Sequence, residues 1–535
     1  MKDDVGKRAM ENEHKLIRSA GIVGLATSLS RIFGYFRDAT LALVLGAGFS
    51  MDAFTIAFRV ANLFRRLVGE GAMSSAFVPV FVAYRKEQST EALWEFTRKF
   101  FYTLAMAAGT IVVLEVIFAP LIVHVVAPGF TSGGNKFQLT VLLTRLMAPY
   151  LALIALAAVL MGVLNSFGHF LVPALSPVLF NIAVIGAAFL AGYVSDEPAV
   201  GIACGVLIGG GLQLVSQIPF VRRKGMNFRP GFSIRHPAIR RFAALLGPGI
   251  FGVGVIQMNV FIDSLMASLL REGSVSQLYY ADRVMELVLG VFVISMATVI
   301  LPDLAQCAAE RDTERLKSTL LFSFRATAFV AIPATVGLFL LAEPIIGVLF
   351  ERGRFGPVDT ERTAMALMFY ALGLCFISGV RLIVSAFYAI QDTKTPVRIA
   401  FVALGVNVIL NWILMHPLKQ GGIALATSLA SLLSFIQLAQ VFQKKVGPLD
   451  WRALGKSVTK ILIASVAMGC FSLLGLHWCQ FNVSAPIGWK TLALFSAIAG
   501  GVFAYLVASM LLKVEELAIL GHLVVVPRKR DGRIA

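Results

Sequence analysis

The sequence predicts an all-α polytopic membrane protein of about 14 transmembrane helices, built as two six-helix repeat lobes plus two C-terminal helices. Three observations lead there. Of 535 residues, 58% are hydrophobic and only 14% charged, too few polar groups to clothe a water-soluble domain. The apolar stretches are continuous and helix-length, whereas a membrane β-barrel would alternate over segments of about ten residues. A weak internal repeat divides the first twelve stretches into two sets of six.

Taken in order, residues 1–16 form a charged cytoplasmic segment, with no short apolar core and cleavage site to suggest a signal peptide. Helices are expected at roughly 17–46, 50–82, 95–126, 137–166, 171–193 and 198–222, giving an N-lobe of residues 17–223. A basic cytoplasmic linker occupies 224–237. Helices at roughly 238–270, 274–307, 317–350, 359–390, 395–415 and 421–443 then give a C-lobe of residues 238–446. Two further helices, roughly 453–478 and 487–512, lie within residues 447–513, and 514–535 is a cytoplasmic tail. Short connections, such as 46–49 and 168–170, make neighbouring helices antiparallel.

The repeat rests on two alignments. Residues 50–63 (SMDAFTIAFRVANL) match 274–287 (SVSQLYYADRVMEL) at a shift of 224, with Ser, Ala, Arg, Val and Leu in register. Pro173 and Pro396 fall 223 apart. The two shifts agree with each other and with the helix count, as in transporters made of parallel repeats.

The net charge of +17 is explained by topology. With the N-terminus in the cytoplasm, 31 Lys and Arg lie in cytoplasmic segments and seven on the opposite side (Lys136, Arg271, Arg352, Arg354, Arg362, Lys419 and Lys490), so both termini are expected inside. The charge is spread over many short loops, which argues against nucleic acid as a partner. The five cysteines make no CxxC pair and are read as packing thiols.

Nine basic residues remain inside helices: Arg31, Arg37, Arg59, Arg65, Arg66, Arg145, Arg283, Arg325 and Arg381. An arginine at a helix centre costs about 2.5–3.5 kcal/mol on insertion scales. Several of them are tolerable only beside water, counter-charges or an anionic ligand. Spacing shows where they point. Ser30 and Arg37 share one face of helix 1, and Arg31 and Asp38 another. Asp52, Arg59, Asn62, Arg66 and Glu70 form a stripe on helix 2, with Arg65 beside it. Ser276, Tyr279, Arg283 and Glu286 form a stripe on helix 8, flanked by Asp282. The economical reading is a watery cationic cavity between the lobes; the competing one is a set of packing ion pairs such as Arg31–Asp38 and Arg283–Glu286. Arginine in place of lysine suits bidentate binding of phosphate or carboxylate.

A second polar group, Asp263, Asn407, Asn411 and Thr427, has oxygen ligands suited to a hard monovalent cation, or simply bonds helices together. The glycines in residues 245–254 follow no strand and precede no Walker lysine, so they read as a hinge in a helix. No motif of an enzyme is present.

The stretches SLSRIFGYFRDA (28–39), DAFTIAFRVANLFRRLVGEGAMSSAFVPVF (52–81) and GSVSQLYYADRVMEL (273–287) together resemble the MurJ (MviN) family of lipid II flippases, within the multidrug/oligosaccharidyl-lipid/polysaccharide exporter superfamily. The resemblance implies a transporter of the bacterial inner membrane that moves undecaprenyl-diphosphate-linked peptidoglycan precursor outward by alternating access. It implies substrate-binding arginines at Arg31, Arg37, Arg65 and Arg283, with Ser30, Asp38, Asp52, Asn62, Glu70, Ser276, Asp282 and Glu286 as associated polar residues. Helices 13 and 14 would form a groove for the polyprenyl tail. Lipid II, membrane lipids and the cell-wall synthesis machinery are the implied partners. No organic cofactor is implied; coupling would come from the membrane potential or a sodium ion at Asp263, Asn407, Asn411 and Thr427, although Asn411 stands where the sodium-binding members carry a carboxylate. The alternatives are a flippase for another polyprenyl-diphosphate-linked oligosaccharide and a cation-coupled exporter of the same superfamily.

Overall fold

The computed structural model describes residues 2–64, 77–233, 236–479 and 485–517. Among these the chain is helical and has no β-strand. Ten helical segments are long and apolar enough to cross a bilayer, so this is a multi-pass membrane protein. The helix order is consistent with the fourteen expected spans, several of which are divided or interrupted. The chain separates into two compact units, residues 1–276 with 352–355, and residues 277–351 with 356–535.

In the first unit, α1 (Lys2–Leu45) is helical from well before the expected start, α2 is Phe49–Phe64 and α3 is Val78–Glu87. The turn between α1 and α2 uses Gly46 at φ +69°, where a Cβ would stand 2.6 Å from the Arg354 carbonyl oxygen. Helix α4 (Thr90–Val126) starts at Ser89, whose hydroxyl accepts from Ala92 N at 3.2 Å. The fourth span is divided by Pro149 into α5 (Asn135–Met147) and α6 (Pro149–Ser166). Then follow α7 (Leu171–Val194), α8 (Pro198–Val215), the short α9 (Ile218–Arg223) and α10 (Pro237–Ser268).

Gly201, Gly205 and Gly209 make a stripe on α8, and ideal Cβ atoms there would lie 2.5, 2.3 and 2.8 Å from Ala191, Ala187 and Phe180 of α7. In lipid, close packing replaces the missing hydrophobic drive between helices, and small residues permit it. An aromatic core ties α4 and α10 together in the same unit. Phe100 packs 4.9 Å from Phe77 and 4.7 Å from Phe242 of α10. That contact explains why α10, the first helix of the second sequence repeat, groups with the first unit.

The second unit contains most of α11 (Ser274–Val288), a π-helical turn at Leu289–Val293, α12 (Ile294–Ala309) and α13 (Thr313–Leu340). The ninth expected span breaks at Leu341 into α13 and α14 (Ala342–Phe350). Helices α15 (Pro357–Ala389), α16 (Lys394–Leu418), α17 (Gln420–Val446), α18 (Trp451–Trp478) and α19 (Ile487–Leu511) complete it. An apolar core is built from α12, α13, α15 and α17 around Leu304, Leu320, Phe387 and Phe442.

Candidate functional site

On α1, the Arg37 guanidinium is fixed from two sides. Its Nε and Nη2 donate to Asp38 Oδ1 at 3.0 and 2.8 Å, and its Nη1 donates to Asn181 Oδ1 on α7 at 3.2 Å. Asn181 in turn donates to the Ser30 carbonyl at 3.2 Å, which ties Ser30, Arg37 and Asp38 into one network. Arg31 lies on the exposed side of the same helix. Asn181 was not singled out from sequence. It is neutral and sits within an apolar stretch, so only its polarity there could have flagged it.

Asp52 on α2 is 1% exposed and fully engaged. It accepts from Lys136 Nζ at 2.6 Å, Gly273 N at 2.8 Å, Ser276 N at 2.9 Å and Ser276 Oγ at 2.8 Å. Asp52 therefore caps the N-terminus of α11, while Glu272 accepts from Phe49 N at 3.1 Å and caps α2 in return. Asp52 and Ser276 are equivalent positions of the sequence repeat, and they meet directly. Lys136 was counted as an outer-loop cation, yet it is buried against Asp52 and the Phe130 ring, 4.5 Å from the centroid. Farther along α2, Arg59 donates to Ser264 of α10, and Asn62 is half-buried one turn beyond. Arg65 and Glu70 lie outside the described residues.

In the second unit, Arg283 Nη1 donates to Glu286 Oε2 at 2.5 Å, and its guanidinium carbon stands 4.9 Å above the Tyr279 ring. Arg381 of α15 is within electrostatic reach of Glu286 and Asp282, which adds a second guanidinium to that acidic pair. Arg381 was recognised from sequence as an intramembrane charge but not as part of a site, because its partners lie about a hundred residues away.

The four residues of the candidate cation site do not all share a unit. Asp263 is on α10 in the first. In the second, Asn411 Nδ2 donates to Asn407 Oδ1 at 2.9 Å and Asn407 Nδ2 to Thr427 Oγ1 at 3.2 Å. These oxygens already face amide donors, which a cation would have to displace. Among the described residues no three His, Cys, Asp or Glu side chains gather as a metal site.

One further feature of the second unit is a mainly apolar groove of about 380 Å³ between α13, α18 and α19, lined by Phe329, Pro333, Met468, Ile498 and Tyr505 among others.

A family profile described as "Lipid II flippase MurJ" matches residues 41–511. The chain is 34% identical over 513 residues to the probable lipid II flippase MurJ of Vibrio cholerae, covering 94% of this chain and 97% of that protein. A solved lipid II flippase MurJ in an inward closed conformation superposes with a TM-score of 0.77 at 29% identity, covering 92% of this chain and 99% of the other. An inward-facing multidrug transporter of the MATE family shares the fold, with a TM-score of 0.66 at 16% identity over 80% of this chain and 96% of its own. With guanidinium networks inside apolar helices and a match over most of its length, the chain belongs to the lipid II flippase MurJ family.

Proposed function

We propose that the chain is a lipid II flippase, a transporter and not an enzyme, which carries undecaprenyl-diphosphate-linked disaccharide-peptide from the cytoplasmic to the periplasmic leaflet by alternating access. The observation that carries the reading is the pair of arginines, Arg37 and Arg283, paired with and oriented by carboxylates within apolar helices of a MurJ-family chain. A diphosphate cannot cross hydrocarbon unaided, and the planar guanidinium offers it two parallel N–H donors.

In this reading Arg31, Arg37, Arg65 and Arg283 bind the diphosphate. Ser30, Asp38, Asn62, Glu70, Asp282 and Glu286 orient them or contact the head group. The helix-capping geometry of Asp52 and Ser276 supports a positioning role for them within the same set. The apolar groove of α13, α18 and α19 supports a place for the polyprenyl tail. Both termini lie in the cytoplasm, as the Lys and Arg distribution requires. Coupling draws on the membrane potential or on sodium. If sodium acts through Asp263, Asn407, Asn411 and Thr427, Asp263→Ala makes flipping independent of sodium, whereas equal wild-type activity in sodium and potassium rules that route out. The cell-wall synthesis machinery is the expected protein partner.

The test is rescue of a bacterial strain depleted of its own lipid II flippase, followed by Ala and Lys at Arg37 and Arg283 with membrane level and translocation measured separately. Normal levels with failed translocation are expected for both replacements, because lysine keeps the charge but loses the fork. Intact translocation in the Ala variants would refute the diphosphate role. Loss of the protein itself would assign these arginines to packing.

A further inference from the structure

Transport as described uses none of a polar cavity in the second unit, about 430 Å³, lined by Arg325, Lys456, Ser457, Lys460, Glu515 and Glu516. It lies where α18 begins and α19 has just ended, among residues flanking apolar spans. Its floor is Glu516, only 3% exposed. Glu516 Oε1 accepts from Arg325 Nε at 2.5 Å and from Ser457 Oγ at 2.8 Å. The other arm of Arg325 is taken by Glu515. Glu516 Oε2 is buried and has no hydrogen-bond donor among the described residues. A buried carboxylate oxygen left so is costly, and the missing partner is a donor.

The rim has the opposite character. Lys456 and Lys460 are one helical turn apart on α18. Lys460 Nζ spends one proton on the Lys513 carbonyl at 3.1 Å, which leaves two N–H groups, and the Lys456 ammonium is on an exposed residue. The cavity thus presents an acceptor inside and cations outside, and a complementary ligand carries a protonated amine close to a phosphate. At the end of membrane-spanning helices that ligand is lipid. We propose that this cavity binds the headgroup of an ethanolamine phospholipid, its ammonium donating to Glu516 Oε2 and its phosphate accepting from Lys456 and Lys460. A choline headgroup has no N–H to donate, and a glycerol headgroup has no cation.

Native mass spectrometry of the delipidated full chain in detergent tests this, with equal amounts of dioleoyl phosphatidylethanolamine, phosphatidylcholine and phosphatidylglycerol. Retention of the ethanolamine lipid is expected to exceed that of the choline lipid by about tenfold, the scale of one charge-assisted hydrogen bond. Glu516→Gln should erase that preference. Lys456→Ala with Lys460→Ala should weaken both lipids alike, and these lysines lie on the rim, so folding is kept even where Glu516→Gln impairs it. Equal retention of the ethanolamine and choline lipids by the wild type overturns the proposal, as does preference for the glycerol lipid or indifference to the lysine variants. Displacement of the lipid by equimolar phosphoethanolamine or inorganic phosphate would assign the cavity to a soluble solute and overturn the lipid source.

Discussion

Lys136 and Asp52 form a buried pair whose members were read from sequence in different ways, one as a loop charge and the other as part of a helix stripe. The energetics follow from burial. Removing Lys136 leaves the Asp52 charge buried with only its hydrogen bonds from Gly273 and Ser276, and breaking a buried pair typically costs about 3–5 kcal/mol, whereas removing both charges costs less. Lys136→Met alone should therefore lower thermal stability in detergent sharply, and adding Asp52→Asn should recover much of the loss. Strict additivity of the two changes would show that the pair is not coupled. Glu115 on α4 makes a contrasting case. It is 5% exposed, and neither carboxylate oxygen has a hydrogen-bond partner among the described residues. Its replacement by Leu should raise the melting temperature, by a gain of roughly 1–3 kcal/mol, since an unsatisfied buried polar group is removed. A fall in stability would mean that Glu115 is bonded. Charged residues such as Arg37, Asp52 and Arg283 were legible in the sequence because a charge in an apolar run is conspicuous. Their pairings with Asn181, Lys136 and Arg381 were not, since partners 84, 144 or nearly a hundred residues apart leave no trace in local periodicity.

Helix existence was legible for the same reason that membrane topology usually is: every span must bury its own backbone polar groups, so long apolar runs have few alternatives. The divisions at Pro149 and Leu341 and the π turn at Leu289–Val293 were less so, because apolar composition continues across them. The glycine stripe of α8 went unread although its four-residue spacing is plain. Its meaning depends on which helix lies opposite. Gly205→Ala would place a methyl 2.3 Å from Ala187 Cβ, so a loss of about 1–3 kcal/mol is expected from overpacking. Gly186→Ala on α7 meets nothing within 4 Å and should be neutral or mildly stabilising. Equal effects of the two on the melting temperature would argue against close α7–α8 packing. At the start of α16, Asp392 accepts from Thr395 N at 3.0 Å and Thr395 Oγ1 at 2.6 Å and pairs with Lys445 of α17. Burial acts to raise its pKa, but the hydrogen bonds from Lys445 and Thr395 outweigh it and hold the carboxyl well below the usual range. A depressed folded-state pKa gives stability that is complete above the unfolded value, near pH 4, and is lost as pH falls through the folded value. The stability gap between wild type and Asp392→Asn should stay constant above about pH 5 and close in acid.

For the whole molecule, orientation follows from charge placed outside the helices. Of the seven Lys and Arg assigned by sequence to the outer side, Lys136 and Lys490 are buried and paired with Asp52 and Glu351. Those two never face bulk solvent as free charges, so the remaining bias towards the cytoplasmic segments is stronger than the count first suggests. Both termini should therefore be inside. Reporter fusions at Gly46, Pro198 and Pro357 are expected to read periplasmic, and fusions at Glu87, Gly225 and Arg530 cytoplasmic. Pro198 is the decisive position. It stands between the fifth and sixth expected spans, so an odd number of crossings separates it from the N-terminus. The repeat shift of about 224 residues requires six crossings before the second repeat begins in the same orientation. A cytoplasmic reading at Pro198 would thus contradict the span count and the parallel repeat together, while a periplasmic reading with Gly225 inside supports both.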